Sequence, residues 1–255
     1  MKIAVAGCFG RMGQTVCEAV QNAGHELAGG TEKSDCPRVG TPLGSGIVTA
    51  DARAVFEKVD AVIDFTSPAT SVENALLAAE TGKILIIGTT GLTAEQTAVL
   101  AKAGQKTRLV FSSNMSVGVN LLLALVEKAA AVLNGYDAEI VEMHHRNKAD
   151  APSGTALSLG KAVAAGRNAA FDEKARFDRR GIIGKRPDGE IGFAVLRGGD
   201  VTGDHTVIFA GNGERVELTH KASSRVVFAD GAVRAAEWAA GQKNGLYSMR
   251  DVLGF

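Results

Sequence analysis

Apolar residues along this chain follow two different rhythms. Up to about residue 112 they come as short, nearly continuous runs: Lys2 to Ala6, Asp60 to Phe65, Ile84 to Ile87 and Arg108 to Phe111. Such runs predict strands buried on both faces. A weaker strand is expected over Glu26 to Gly30. Between the runs the apolar spacing is helical. One helix is predicted from Gln14 to Ala23, closed by Gly24, and a second follows Ser67 and Pro68, an N-cap and first-turn pair, and ends at Gly82. A third is predicted from Thr93 to Ala103, where Thr93 and Gln96 have the spacing of a capping box. Strands alternating with helices predict a parallel, doubly wound sheet of the Rossmann-like type.

The rhythm changes after Ser116. Val117 to Leu133 reads as one long helix, Ala138 to Met143 alternates as a half-buried strand, and Ala156 to Ala165 returns to helical spacing. Strands over Phe193 to Arg197, Thr206 to Ala210 and Arg215 to His220 are expected to be antiparallel, the last two joined through Gly211-Asn212-Gly213. A closing helix is predicted over Ala229 to Ala240. Gly166 to Gly192 shows neither period and is expected to be an irregular, mobile loop. The fold class is therefore α/β, with a second α+β domain carrying a mixed or antiparallel sheet. Residues 1–115 and 225–255 are expected to form a dinucleotide-binding domain, and 116–224 a substrate-binding and oligomerisation domain.

Composition narrows the function classes. The chain has 255 residues, 45% of them hydrophobic, and its 28 basic residues balance 28 acidic ones. No global basic field is available to attract nucleic acid or an anionic membrane. The apolar run after Met1-Lys2 is too short for a signal sequence, and no run reaches the length of a membrane span. Cys8, Cys17 and Cys36 form no C-x-x-C pair, so a reduced, cytoplasmic protein is expected.

Candidate chemistry concentrates at two places. Gly7 to Gly13, "GCFGRMG", follows the first strand and opens the first helix. Glycines there let the backbone turn sharply toward a phosphate, and the helix N-terminus offers free N–H groups. Glu32, at the end of the second strand, stands where an acid takes ribose hydroxyls, and Lys33 can meet a 2′-phosphate. The turns at Gly88 ("GTTG") and Ser112 ("SSNMS") lie at the carboxyl ends of predicted strands, the edge where open α/β sheets bind ligands.

The second place is Glu142 to Ala156, "EMHHRNKADAPSGTA". Adjacent histidines on a strand face opposite ways, so either His144 or His145 can be a general acid. Lys148 adds positive charge for a carboxylate, and Pro152 to Thr155 opens a helix whose amides also suit an anion. The spacing lacks the His pair and acidic partners of a metal site. His205 and His220, in later strands, read as structural.

These segments, with "SSNMSVGVN" and "THKASSR", resemble the 4-hydroxy-tetrahydrodipicolinate reductase family, formerly dihydrodipicolinate reductase, from Ile3 to Val252. The resemblance implies reduction of a cyclic dicarboxylate by NADPH or NADH in the diaminopimelate route to lysine. It implies His144 as proton donor, Lys148 as the group that binds and polarises the substrate, and His145, Ser153, Gly154 and Thr155 as carboxylate ligands. For the cofactor it implies Gly7, Cys8, Phe9, Gly10, Arg11, Met12, Glu32, Lys33, Gly88, Thr89, Thr90, Ser112, Ser113, Asn114 and Met115. It further implies a homotetramer; a site that takes hydride from the other domain is expected to need domain closure to exclude water, with a hinge at Ser113–Ser116. The family often has an aromatic residue at the place of Met115 and an arginine at that of Lys33. The rival reading is a non-catalytic NAD(P)H-binding redox sensor of the same fold, which has no need of His144 and Lys148 together.

Overall fold

In the computed structural model, which describes residues 1–255, the two rhythms become two sheets in two units, Met1–Val117 with Arg225–Phe255 and Gly118–Ser224. The first unit begins β1 (Lys2–Ala6), α1 (Arg11–Asn22), β2 (Glu26–Thr31), β3 (Pro42–Leu43), β4 (Gly46–Thr49), α2 (Ala52–Phe56), β5 (Ala61–Asp64), α3 (Pro68–Thr81), β6 (Ile84–Ile87), α4 (Ala94–Gly104) and β7 (Arg108–Phe111). Next come α5 (Val117–Val132), β8 (Asp137–His144), α6 (Gly154–Gly166), α7 (Phe171–Lys174), β9 (Ala175–Arg176), β10 (Ile191–Arg197), β11 (Gly203–Ala210) and β12 (Arg215–Ala222). The chain then rejoins the first unit as α8 (Val226–Ala240), β13 (Gly245–Tyr247) and α9 (Met249–Leu253).

The first sheet runs β13-β7-β6-β5-β1-β2-β4-β3, with every neighbouring pair parallel except the short β3–β4 ladder. All residues of β5 and β6 are buried, because helices cover both faces. Val16, Val20, Ala232 and Ala236 from α1 and α8 pack on one face, and Phe56, Ala75, Ala78 and Leu100 from α2, α3 and α4 on the other. Strand order reverses beside β1, where β2 and β5 flank it. The crevice at the carboxyl ends of these strands is the ligand edge of such sheets.

The helix signals are realised in their predicted chemistry. Ser67 accepts from the Thr70 amide, Thr93 and Gln96 close a capping box, and Gly82 ends α3 in the left-handed conformation. The first helix starts at Arg11, three residues earlier than the apolar period indicates, since Gly10 serves as its extended N-cap. β3, β4, α2, β13 and α9 are too short to give a period.

The second sheet runs β12-β11-β8-β10-β9. It is mixed rather than antiparallel from Phe193 onward: β10 lies parallel to β8, and only β11 and β12 are antiparallel to their neighbours. The connection from β8 to β10 passes through α6, which makes a parallel return possible. The stretch from Gly166 to Gly192 is irregular over most of its length, as its lack of a period implies. It holds α7 and β9, and it is fastened to β8 by Arg179 and Arg186, both of which hydrogen-bond Glu139 (2.6 and 2.8 Å from Arg179, 3.1 Å from Arg186). Charged anchors carry no hydrophobic period, so the pattern does not show them. One face of the sheet packs Ile140, Phe193, Val207 and Phe209 against Leu122 and Val126 of α5 and Leu159 and Val163 of α6.

Candidate active site

At the reversal in the first sheet, the Gly7 loop is shaped by backbone contacts that no side chain permits. Gly7 has φ +64°, and a Cβ on Gly13 would stand 2.0 Å from the Gly7 carbonyl oxygen. The Glu32 carboxylate accepts the Phe9 amide at 2.7 Å, which ties the end of β2 to the loop. Gly7, Gly10, Glu32 and Lys33 line one side of a cavity of about 530 Å³, faced by Thr66, Ser67 and Asn74. Asp64, fully buried at the end of β5, holds that opposite wall: it accepts the Thr66 amide (2.8 Å), the Thr66 hydroxyl (2.6 Å) and the Asn74 amide (2.9 Å). Neither Asp64 nor Asn74 carries a signal in the apolar pattern.

The remaining cofactor candidates divide by where their side chains lie. Cys8 is buried against Gly30, and burial pushes its thiol up to about 12, so this residue presents its backbone only. Phe9 is half-buried beneath the guanidinium of Arg38, 3.4 Å from the ring centroid, an arginine the sequence reading did not single out. Arg11 is exposed, and Met12 packs partly on the core. Gly88 follows β6 with the Phe65 ring where a Cβ would stand, Thr89 is buried with its hydroxyl bonded to Ser71 at 2.8 Å, and Thr90 is exposed. Ser112 accepts the Asn114 amide and donates to its carbonyl, so Ser112, Ser113 and Asn114 form a compact turn after β7. The Met115 side chain is fully buried in the core beside α8, so what this residue offers to the turn is backbone.

In the second unit, β8 alternates strictly, and its inward face reads Ala138, Ile140, Glu142, His144. The core stripe thus turns polar at the carboxyl end of the strand. Glu142 is 1% exposed, yet its carboxylate has four donors: His144 Nδ1 at 2.6 Å, Arg197 at 2.8 and 2.9 Å, and the Ser153 amide at 3.0 Å. Burial pushes its pKa up, but the bonds from Arg197, His144 and Ser153 outweigh that and hold it below the usual range. His144 is pulled below its ordinary value, chiefly by burial, with Glu142 opposing and Lys148 and Arg197 adding to the shift.

His145 comes after the end of the strand. Its backbone donates to the Val201 carbonyl at 2.7 Å, and its buried Nδ1 has no partner. Lys148 pairs with Asp150 at 2.9 Å. Ser153 is the N-cap of α6, accepting the Ala156 amide at 3.1 Å and bonding His205 Nε2 at 2.9 Å, which leaves Gly154 and Thr155 as the first turn of that helix. The structure therefore brings His144, Lys148 and Ser153 into one charged cluster and adds Glu142 and Arg197, which the sequence reading gives no role, and His205, which it reads as structural. Glu142 was legible as the residue two before His144 on the same strand face. Arg197 and His205 come from β10 and β11, and only strand pairing reveals them. No group of ligands suited to a metal ion is present.

Family models and sequence relatives name one family. The family model described as dihydrodipicolinate reductase, N-terminus, matches residues 1–115, and the corresponding C-terminus model matches 118–253. The chain is 47% identical to the 4-hydroxy-tetrahydrodipicolinate reductase of Polynucleobacter necessarius subsp. necessarius, over all of this chain and 99% of the relative. It is 51% identical to 4-hydroxy-tetrahydrodipicolinate reductase 1 of Mesorhizobium japonicum, over 100% and 97% of the two chains. Among solved structures, a dipicolinate-bound dihydrodipicolinate reductase from Paenisporosarcina sp. TG-14 shares the fold, with a TM-score of 0.80 at 24% identity and 97% of each chain covered. The myo-inositol 2-dehydrogenase of Lactobacillus plantarum shares it more loosely, at a TM-score of 0.61 and 11% identity over 99% and 93% of the chains.

Proposed function

The chain belongs to the dihydrodipicolinate reductase family, and on that premise we propose that His144 and Lys148 carry its chemistry, with His145 and the first turn of α6 as carboxylate ligands. It is an oxidoreductase that reduces 4-hydroxy-tetrahydrodipicolinate to tetrahydrodipicolinate in the diaminopimelate branch of lysine biosynthesis. Its cofactor is a nicotinamide nucleotide.

The cavity beside the Gly7 loop fits such a cofactor. The Gly7–Gly13 approach is one a Cβ would fill, and a carboxylate and an ammonium, Glu32 and Lys33, stand on one wall. When bound, the nucleotide supplies hydride. We assign Glu32 to the ribose hydroxyls and Lys33 to a 2′-phosphate where one is present, so NADPH or NADH is proposed as cofactor. Amides in the first turn of α1, which has no side-chain cap, are free for the pyrophosphate.

Exchanging the 4-hydroxyl for hydrogen consumes one hydride and one proton and releases water. The second unit must therefore hold a dianion and supply a proton. Lys148 and the α6 N-terminus provide positive potential for the carboxylates, and the unpartnered Nδ1 of His145 provides a further hydrogen bond. Burial keeps His144 weakly basic in the free enzyme. A bound dicarboxylate reverses that bias, because nearby negative charge favours imidazolium. Substrate binding thus favours the protonated form of His144 that can act as donor. The observation that carries this reading is the Glu142–His144 contact at 2.6 Å, which fixes one ring nitrogen and leaves the other for the substrate.

A homotetramer formed through the second unit is part of the proposal. Apolar residues at its strand ends, Val195, Leu196 and Val216, are 36, 49 and 38% exposed. Oxidation of NADPH on adding the product of dihydrodipicolinate synthase tests the activity, and the same assay on His144→Gln tests the proton donor. Undiminished turnover in that variant overturns the assignment of His144.

A further inference from the structure

We infer that Glu142 and Arg197 are positioning residues for His144. The carboxylate–guanidinium pair fixes the imidazole tautomer and leaves Nε2, in the space opened by Gly203, as the nitrogen that gives a proton to substrate. This rests on the reading of His144 as proton donor, and it adds two residues and one glycine to that site.

The geometry is specific. An ionised carboxylate only accepts, so the 2.6 Å contact requires the proton to sit on Nδ1 of His144. Glu142 cannot turn away, because Arg197 grips both of its oxygens and the Ser153 amide holds one of them. Arg197 is itself anchored to the Asp150 carbonyl at 2.7 Å. On the neighbouring strand, Gly203 lies below the other nitrogen. A Cβ there would stand 2.9 Å from His144 Nε2, and φ at this glycine is ordinary, so the backbone does not demand glycine for its conformation. His205 meets the His144 ring edge-on at 5.1 Å and directs its own Nε2 to Ser153, so it does not compete for Nε2 of His144.

The charged and titratable groups around His144 are therefore Glu142 on its own strand, Arg197 from β10, and His205 from β11 with His220 opposite it on β12. Lys148, paired with Asp150, completes the set. Glu142 favours imidazolium, whereas Arg197 and Lys148 oppose it. Removing Glu142 and removing Arg197 must then move the titration of His144 in opposite directions. Damage to the fold alone has no such sign.

The test is a pH titration of histidine ¹⁵N and ¹³C signals in the full-length protein, alongside the pH profile of turnover. In wild type, neutral His144 should carry its proton on Nδ1. Glu142→Gln should move the His144 midpoint to lower pH by about one unit, with the alkaline limb of kcat following and kcat falling about tenfold or more. Arg197→Gln should move both to higher pH, and Arg197→Lys, which keeps the charge, should restore the midpoint. Circular dichroism and binding of NADPH, which uses the other unit, confirm that each variant is folded. If Arg197→Gln does not fold, Glu142→Gln decides alone. An Nε2-protonated neutral form in wild type, no downward shift in Glu142→Gln, or shifts of the same sign in both variants overturns the inference. Failure of the proton-donor reading is seen separately, as full turnover in His144→Gln with these titration shifts intact.

Discussion

The hydroxyl of Ser153 lies 2.9 Å from Nε2 of His205, joining the N-cap of α6 to a strand residue 52 positions later. Both side chains are buried, and the other ring nitrogen of His205 has no partner. Protonating the ring would place an unsatisfied N–H in the core, and burial, with the neighbouring His144 adding to it, pushes this pKa down to about 4. The unfolded chain binds this proton at about 6.5 and the folded chain does not, so stability is lost as pH falls between those values. The displacement corresponds to roughly 3 kcal/mol. Melting temperature should drop steeply from pH 6.5 to 4, and the slope should flatten in His205→Gln. Parallel melting curves for the two proteins would contradict this account.

Gly203→Ala should lower kcat by about 10- to 100-fold, because the added methyl displaces the His144 ring from its position. NADPH affinity should stay at the wild-type value, since the residues proposed for the cofactor belong to the other unit. Steady-state kinetics and calorimetry on the same preparation check this, and unchanged kcat would show that Nε2 is not the working atom.

His144→Gln, His145→Gln and Lys148→Ala should separate by kinetic parameter. A proton donor acts only in the transition state, so the first should cut kcat by ~10²-fold or more with a smaller effect on KM. The second, losing the unpartnered Nδ1, should mainly raise KM. The third should damage both. Loss of kcat in His145→Gln with a near-normal His144→Gln would exchange the two roles.

Lys33→Ala should weaken NADPH more than NADH, by about five- to tenfold, since only the former carries the 2′-phosphate. Calorimetric titration with both nucleotides measures the difference. Equal losses would remove Lys33 from the phosphate subsite.

Light scattering at micromolar concentration should give four times the chain mass. A monomeric mass would contradict the proposal that the exposed strand ends of the second unit are covered by other copies.

Much of this enzyme is legible in the order of its residues, for local reasons. Continuous apolar runs give β5 and β6 because both faces of that sheet are covered, and caps such as Ser67 and Thr93 act within three residues of themselves. The Gly7 loop and the His144–Lys148 segment are contiguous, so each stands out as a candidate site in the string alone. Other features rest on contacts between distant segments. The direction of β10 depended on α6 carrying the chain back across the sheet, and nothing inside Ile191–Arg197 encodes it. Glu142 is a buried anion only because Arg197 arrives 55 residues later with its fork aligned to both oxygens. His205 is silent in an alternating strand until pairing sets it opposite Glu142 and beside His144. A side chain's burial and charge partners are properties of the assembled sheet, and those partners determine which nitrogen of His144 is held by Glu142 and which is left without a carboxylate.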